Sequence, residues 1–217
     1  MEKKKNDFIA QGSILAIASI LVRVMGMIYR IPMTAIIGDK GNGFYSYAYS
    51  VYTILLLLSS YSLPLAVSKM VSAKAQLGQW RNVKRVFICA IAFAIGIGTT
   101  FGLIVLIGAQ FFTRVFFHSE LAAIALRFMA PTILIMALLG VFRGFFQGLQ
   151  NTLPTAVSQI VEGLINAIMS VVFAYFLFDF GHGMDAAGGT TDLGYAWGAA
   201  GGAIGTGAGE LAGLIFG

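Results

Sequence analysis

The sequence has few charged residues, and this scarcity excludes a soluble globular protein. Only 11% of its 217 residues are Asp, Glu, Lys or Arg, whereas soluble domains contain about 25%. Hydrophobic residues make up 58% of the chain, and the mean hydropathy is +0.85. This composition predicts an integral membrane protein.

Cysteine and histidine are also scarce. The single cysteine, Cys89, lies within an apolar run, which excludes a disulfide framework or a cysteine-based metal site within one chain. His118 and His182 fall in separate predicted loops, and two histidines placed in this way do not indicate a metal site. We therefore predict that the protein holds no metal and no cofactor.

Motifs typical of enzymes are missing from the sequence. It has no nucleophile elbow, no phosphate-binding glycine-rich loop with its lysine, and no HExxH pattern. The net charge of +5 does not indicate a nucleic-acid partner, because the basic residues gather at the ends of apolar runs. We predict no enzyme activity and no catalytic residues, with an intramembrane transferase as an open alternative.

Long apolar runs dominate the chain. A helix that spans a bilayer needs about 20 apolar residues, and polar or glycine-rich breaks divide the sequence into six such runs. The sequence therefore predicts an all-α membrane protein with six transmembrane helices. The predicted ranges are 8–37, 44–71, 86–112, 121–148, 154–178 and 195–217.

The distribution of basic residues indicates an orientation. Most of them precede the first run or lie between the second and the third, namely Lys3, Lys4, Lys5, Lys69, Lys74, Arg81, Lys84 and Arg85. Cytoplasmic loops of membrane proteins carry an excess of lysine and arginine. We therefore predict a multi-pass protein of the cell membrane with a cytoplasmic N-terminus.

Two arginines interrupt the first apolar run. Arg23 and Arg30 are seven residues apart, so a helix places both guanidinium groups on the same side. Arginine does not lose its charge when it is buried. At membrane depth, the pair therefore requires water, a carboxylate or an anionic ligand.

Other polar residues recur at helical spacing in later runs. They are Arg143 in the fourth run, Ser158, Glu162, Asn166 and Ser170 in the fifth, and Thr206 and Glu210 in the sixth. Two interpretations are open: the acids neutralise the arginines, or the charges line a hydrophilic cavity that receives an anion. Three arginines against two carboxylates leave a positive surplus, and bidentate arginine suits phosphate or pyrophosphate.

Three tyrosines share a helix face at the start of the second run. Tyr45, Tyr49 and Tyr52 follow the i, i+4, i+7 pattern. An aromatic belt at the membrane interface explains this pattern, and so does a cavity wall that stacks on a sugar ring. Both interpretations are open at this point.

Four motifs occur along the chain in an order that is recognisable. They are Val22-Arg-Val-Met-Gly-Met-Ile-Tyr-Arg-Ile-Pro32, Ile37-Gly-Asp-Lys-Gly-Asn-Gly-Phe-Tyr45, Leu63-Pro-Leu-Ala-Val-Ser-Lys69 and Phe142-Arg-Gly-Phe-Phe-Gln-Gly-Leu-Gln-Asn-Thr-Leu-Pro-Thr-Ala-Val-Ser-Gln-Ile-Val-Glu162. With these motifs the chain resembles the polysaccharide biosynthesis and stage V sporulation protein B family. That family groups with the MurJ-type lipid II flippases in the superfamily of the multidrug and toxin extruders.

The resemblance implies a bacterial transporter of two six-helix lobes, which alternates access to a central cavity. The implied substrate is an undecaprenyl-pyrophosphate-linked sugar, moved outward for growth or sporulation, and Arg23 and Arg30 would meet its pyrophosphate. The candidate substrate-binding residues are Arg23, Arg30, Arg143, Glu162 and Asn166. Glu210 and Asp39 are candidates for coupling or gating, although Asp39 also fits a purely structural turn.

Family members carry roughly twice this number of helices, so we expect the chain to form one N-terminal lobe. Its expected partners are a lipid-linked anionic oligosaccharide, the lipid bilayer, and a second lobe or second copy. A truncated gene product is an open explanation of the length. Two other functions are open: a lobe of a cation-coupled multidrug exporter, and a non-transporting membrane subunit left by truncation.

Overall fold

The computed structural model describes residues 2–188 and 192–216, and every regular element in these two ranges is an α-helix. The helices are α1 (Glu2–Ser59), α2 (Leu63–Gln76), α3 (Trp80–Phe117), α4 (Ala122–Gly148), α5 (Leu153–Gly188) and α6 (Leu193–Phe216). The prediction of an all-α protein is confirmed for this part of the chain.

Helix α1 is interrupted at Gly38. This residue has φ 62° and ψ −176°, a conformation that is strained for any residue other than glycine. Arg23 and Tyr52 line the same cavity, although a straight helix would place them about 43 Å apart at 1.5 Å per residue. The helix therefore folds back on itself at Gly38. We call residues 2–37 the first arm and residues 39–59 the second arm.

The second predicted run, 44–71, is not one helix in the structure. Helical geometry resumes directly after Gly38, α1 ends at Ser59, and α2 begins at Leu63. Pro64 stands in the first turn of α2, where its missing N–H is harmless. Residues 60–62 thus divide an apolar run that hydropathy alone does not divide.

Five stretches of the described chain are long and apolar enough to cross a membrane. They are Gly12–Gln76, Trp80–Phe117, Ala122–Gly148, Leu153–Ala186 and Leu193–Phe216. The first stretch joins both arms of α1 with α2, so the candidate spans do not reproduce the six predicted helices one for one. Five apolar helical stretches are consistent with a multi-pass membrane protein.

The glycine rows of α4 and α6 fix the directions of neighbouring helices. On α4, Gly140 lies against Pro64 and Gly148 against Val71, so α2 and α4 run parallel. Small residues allow backbones to approach closely. The α4 row therefore serves the contact with α2.

Helices α5 and α6 run antiparallel. Gly201 of α6 contacts Phe173 and Ala174, whereas Gly213, twelve residues later, contacts Ser158 near the start of α5. The first arm of α1 contacts α5 in the same order along both helices. Ser19 bonds to Gln159 at 3.3 Å, and Val22 and Met25, later in the arm, pack on Gly163, later in α5. The first arm and α5 are therefore parallel.

Helices α4 and α6 lie at the centre of the molecule, and α3 lies at its edge. More than half of the most apolar part of α4 and of α6 is buried. On α3, large side chains such as Leu103, Ile107 and Phe111 are exposed, while Gly98 and Gly102 pack on α4. The absence of ionisable residues from 86–112 agrees with a helix whose outer face meets lipid.

Candidate functional site

A polar cavity of about 560 Å³ lies between α1, α4, α5 and α6, and we call it the central cavity. Its lining residues are Arg23, Gly26, Met27, Tyr29, Arg30, Tyr45, Tyr49, Tyr52, Leu56, Met136, Glu162, Asn166, Thr206 and Glu210. Five of the seven residues predicted from the sequence belong to this wall. The two that do not are Arg143 and Asp39.

Arg23 and Arg30 line the cavity from the first arm of α1. Both are exposed in the single chain, and neither forms an ion pair with a carboxylate of the described residues. The one-sided placement follows from their seven-residue spacing. Their positive charges are therefore available to a ligand in the cavity.

Arg143 forms an ion pair with Glu162. Its Nη2 lies 2.5 Å from Oε2 of Glu162, and its Nε and Nη2 also donate to Oγ of Ser158 at 3.2 and 2.8 Å. The two charged side chains are only 14% and 21% exposed, so each reduces the desolvation penalty of the other. Of the pairings considered from the sequence, this one forms, and Glu162 does not neutralise Arg23.

Arg143 itself lines a second, smaller cavity. This side cavity has a volume of about 410 Å³ and includes Gln147 and Gln159. It shares Leu56 and Met136 with the central cavity, so the two adjoin. The Arg143–Glu162 pair consequently stands at the boundary between them.

Glu210 is the most deeply buried carboxylate of the site. Its exposed fraction is 3%, and the hydroxyl of Tyr52 donates a hydrogen bond of 2.9 Å to Oε1. Oε2 has no hydrogen-bond partner among the described residues. One turn earlier, Thr206 lies 3.3 Å from the hydroxyl of Tyr45, so α6 and the second arm are joined at two successive levels.

The glycine row on α6 explains how this helix, which carries Glu210, packs closely on α5, which carries Glu162. A Cβ on Gly209 would lie 2.6 Å from the carbonyl oxygen of Glu162 and 2.7 Å from Cβ of Asn166. Only glycine therefore allows α6 to pack on the polar stripe of α5. Glu210 follows Gly209 directly and points to the neighbouring face, towards Tyr52.

Asn166 lines the cavity and is held in place by its own helix. Its Oδ1 accepts a hydrogen bond of 2.7 Å from the hydroxyl of Ser170, which also contacts the carbonyl of Gly202 at 3.3 Å. Asn166 thus adds a polar group beside the charges.

Asp39 lies away from the central cavity. It follows Gly38 directly and is exposed. The neighbouring Lys40 forms an ion pair of 2.9 Å with Asp192, just before α6. The structure thus places Asp39 at the turn between the two arms, as expected for the glycine-rich motif, and its gating role remains a prediction.

Sequence reasoning missed several lining residues of these cavities, and two of them are polar neighbours of predicted residues. Tyr29 precedes Arg30 and lines the central cavity, and Gln159 follows Ser158 and lines the side cavity. Neither belongs to the periodic pattern that revealed the other residues. The tyrosine face at Tyr45, Tyr49 and Tyr52 lines the central cavity, and its stacking on a sugar ring stays a prediction.

Residues 8–203 match the sequence profile of the polysaccharide biosynthesis protein family. The chain belongs to this family. The matched region includes every predicted site residue except Glu210, which lies beyond it. No solved structure matched the chain.

Three curated proteins of Bacillus subtilis (strain 168) are similar to this member of the polysaccharide biosynthesis protein family. Stage V sporulation protein B is 26% identical over 213 residues, which cover 98% of this chain and 38% of that protein. The lipid II flippase MurJ is 27% identical over 163 residues, covering 71% and 30%. The uncharacterized membrane protein YabM is 26% identical over 185 residues, covering 85% and 34%. The chain thus spans about a third of the length of these relatives.

Proposed function

We propose that the chain forms one six-helix lobe of a flippase that moves an undecaprenyl-pyrophosphate-linked sugar outward across the bacterial cell membrane. The observation that carries this proposal is that Arg23 and Arg30 line the central cavity and have no ion-pair partner among the described residues. Membership of the polysaccharide biosynthesis protein family and similarity to a lipid II flippase support the same substrate class.

The charge balance of the cavity favours an anionic ligand. Glu162 is occupied by Arg143, and Glu210 accepts its hydrogen bond from Tyr52 rather than from an arginine. Positive charge at membrane depth is costly unless it has a partner. A pyrophosphate offers several oxygens to two guanidinium groups, with the bidentate geometry that arginine prefers.

The helix directions support six membrane crossings. The first stretch, Gly12–Gln76, folds back at Gly38, and its arms 12–37 and 39–59 would each be about 30 to 40 Å long, enough for a bilayer core of about 30 Å. In this arrangement α2 continues the second crossing. Successive crossings then alternate in direction along the chain. The parallel pairs (α2 with α4, the first arm with α5) and the antiparallel pair of α5 and α6 agree with this alternation.

The ends of these crossings differ in charge. Five basic residues flank the connection between α2 and α3: Lys69 and Lys74 lie in α2, and Arg81, Lys84 and Arg85 lie in the first turns of α3. At the opposite end, Lys40 is paired with Asp192 and Arg114 lies 3.5 Å from Glu120. By the positive-inside rule, the α2–α3 end and the N-terminus face the cytoplasm.

A second lobe completes the transporter in this proposal. The side of the first arm that carries Arg23 and Arg30 also exposes large apolar side chains, among them Met27 and Ile31, at 72% and 73%. The relatives are about two and a half times as long as this chain, which leaves room for a covering lobe. The central cavity would then lie between the lobes and open to each side in turn.

Two other functions have a specific observation in their favour. A cation-coupled multidrug exporter would use the buried Glu210 and the tyrosine-lined wall for cationic compounds, although the two free arginines oppose such substrates. A non-transporting membrane subunit would explain why the chain spans only a third of its relatives.

Complementation and a drug-export assay together separate these three possibilities, since a non-transporting subunit would show neither rescue nor export. Cells depleted of their lipid II flippase receive the gene in its natural reading frame, either wild-type, R23A/R30A, or K40A as a basic-residue control outside the cavity wall. We expect growth with wild-type and K40A and no growth with R23A/R30A at equal membrane levels. Rescue by R23A/R30A contradicts the proposal, and drug export without rescue by wild-type supports the exporter.

A further inference from the structure

The two acids of the central cavity differ in their partners. Glu162 has the guanidinium of Arg143 at 2.5 Å. Glu210 has a hydroxyl on Oε1 and no partner on Oε2 within the described part of the chain. The two residues thus line one cavity but differ in how their carboxyl oxygens are bonded.

The other ionisable groups around Glu210 do not neutralise it. From α1 the cavity receives Tyr29, Arg30, Tyr45, Tyr49, Tyr52 and Arg23, from α5 Glu162, and from α4, at its boundary, Arg143. No arginine, lysine or histidine of the described residues lies within ion-pair distance of Glu210. The other acid of the cavity, Glu162, holds Arg143 as its own partner.

An ionised carboxylate in this position would be expensive. Glu210 is 3% exposed, and burying an unpaired charge costs far more free energy than burying the neutral acid. The neutral acid fits the observed contacts: Oε1, as the carbonyl oxygen, accepts from Tyr52, and Oε2 carries the proton. The geometry therefore favours a carboxylic acid.

We propose that Glu210 is a proton-binding site whose proton binds and leaves together with the anionic substrate. A negative charge on Glu210 would repel an anion in the same cavity, whereas a proton removes that repulsion. By thermodynamic reciprocity, the bound anion strengthens proton binding to the same degree. The coupling rests on the proposed function, while the proton site itself does not.

Infrared spectroscopy tests the proton site without any ligand. The purified chain in lipid nanodiscs is compared with E210Q and with E162Q, the matched change at the ion-paired acid of the same cavity. We expect the C=O stretch of a carboxylic acid at neutral pH in wild-type and E162Q, and its loss in E210Q. A spectrum in which E210Q retains the whole band overturns the proposal. Circular dichroism verifies that each variant is folded.

Ligand binding tests the coupling. Farnesyl pyrophosphate serves as the probe, and its affinity is measured at mildly acidic and mildly alkaline pH for wild-type and E210Q. The titration of the probe is common to both proteins, so we expect wild-type to lose about ten-fold more affinity than E210Q. Equal losses overturn the coupling. If the affinity for farnesyl pyrophosphate depends on sodium at constant pH and E210Q abolishes this dependence, the proton site is wrong and Glu210 binds a metal cation.

The two measurements also separate this inference from the proposed function. If wild-type binds no farnesyl pyrophosphate at any pH, then the anion site and the coupling both fail. The infrared band still decides whether Glu210 holds a proton.

Discussion

The close contact of α6 with α5 yields a quantitative prediction at Gly209. In G209A, the new methyl group would lie 2.6 Å from the carbonyl oxygen of Glu162 and 2.7 Å from Cβ of Asn166. Ordinary contacts of this kind are about 3.5 to 4.0 Å, so the helices must separate by about 1 Å. Overpacking of a well-packed interface costs about 1–3 kcal/mol.

The matched control is G96A on the outer face of α3. Gly96 has no atom within 4 Å of the position of an added Cβ. Both substitutions gain helix propensity, about 1 kcal/mol in a helix interior, so this gain cancels when the two variants are compared. The difference between them measures the overpacking alone.

Reversible unfolding in mixed micelles, followed by circular dichroism, supplies the free energies. We expect G209A to be about 1–3 kcal/mol less stable than G96A. Because the clash involves the backbone of Glu162, we also expect G209A to weaken the ion pair with Arg143. Equal stability of the two variants would refute the close helix contact on which the site geometry depends.

Two further substitutions test other parts of the architecture. In the double-mutant cycle of R143M and E162Q, we expect each single change to destabilise and the pair to show a coupling of about 1–3 kcal/mol, measured by the same unfolding assay; additive effects would mean that the ion pair contributes nothing. In G38A, alanine must adopt the φ of 62° that favours glycine, so we expect the free energy of unfolding to fall by about 1–3 kcal/mol. Steric contact does not contribute, because the new methyl group would lie 3.5 Å from Tyr195. Unchanged stability of G38A would contradict the fold-back at this residue.

Much of the fold is visible in the sequence because a bilayer limits what a spanning segment can be. Apolar runs of sufficient length must be helices, which is why α4, predicted as 121–148, is found at Ala122–Gly148. The break within 44–71 was missed, since residues 60–62 interrupt the helix in the middle of a run that is apolar on both sides. Prolines did not identify it either, because Pro32 and Pro131 lie inside continuous helices.

The wall of the site was also partly predictable. Seven-residue and four-residue spacings identified Arg23 with Arg30 and Glu162 with Asn166, because residues at these spacings share a helix face. The choice of partners was not predictable. That Glu162 meets Arg143, and that Glu210 meets Tyr52, depends on how α4, α5 and the second arm pack, and periodicity within one helix contains no information about its neighbours.

The central claim is that Arg23 and Arg30 hold an anionic group, and the most direct test is a binding measurement. The chain in nanodiscs is titrated with farnesyl pyrophosphate and with farnesol, which lacks the charge, using wild-type, R23A, R30A and K40A. A hydrogen bond to a charged group contributes about 1.5–3 kcal/mol, so each arginine change should weaken farnesyl pyrophosphate binding by about ten-fold or more. Farnesol binding should not change, and K40A should behave as wild-type. Undiminished pyrophosphate affinity in both R23A and R30A would contradict the account.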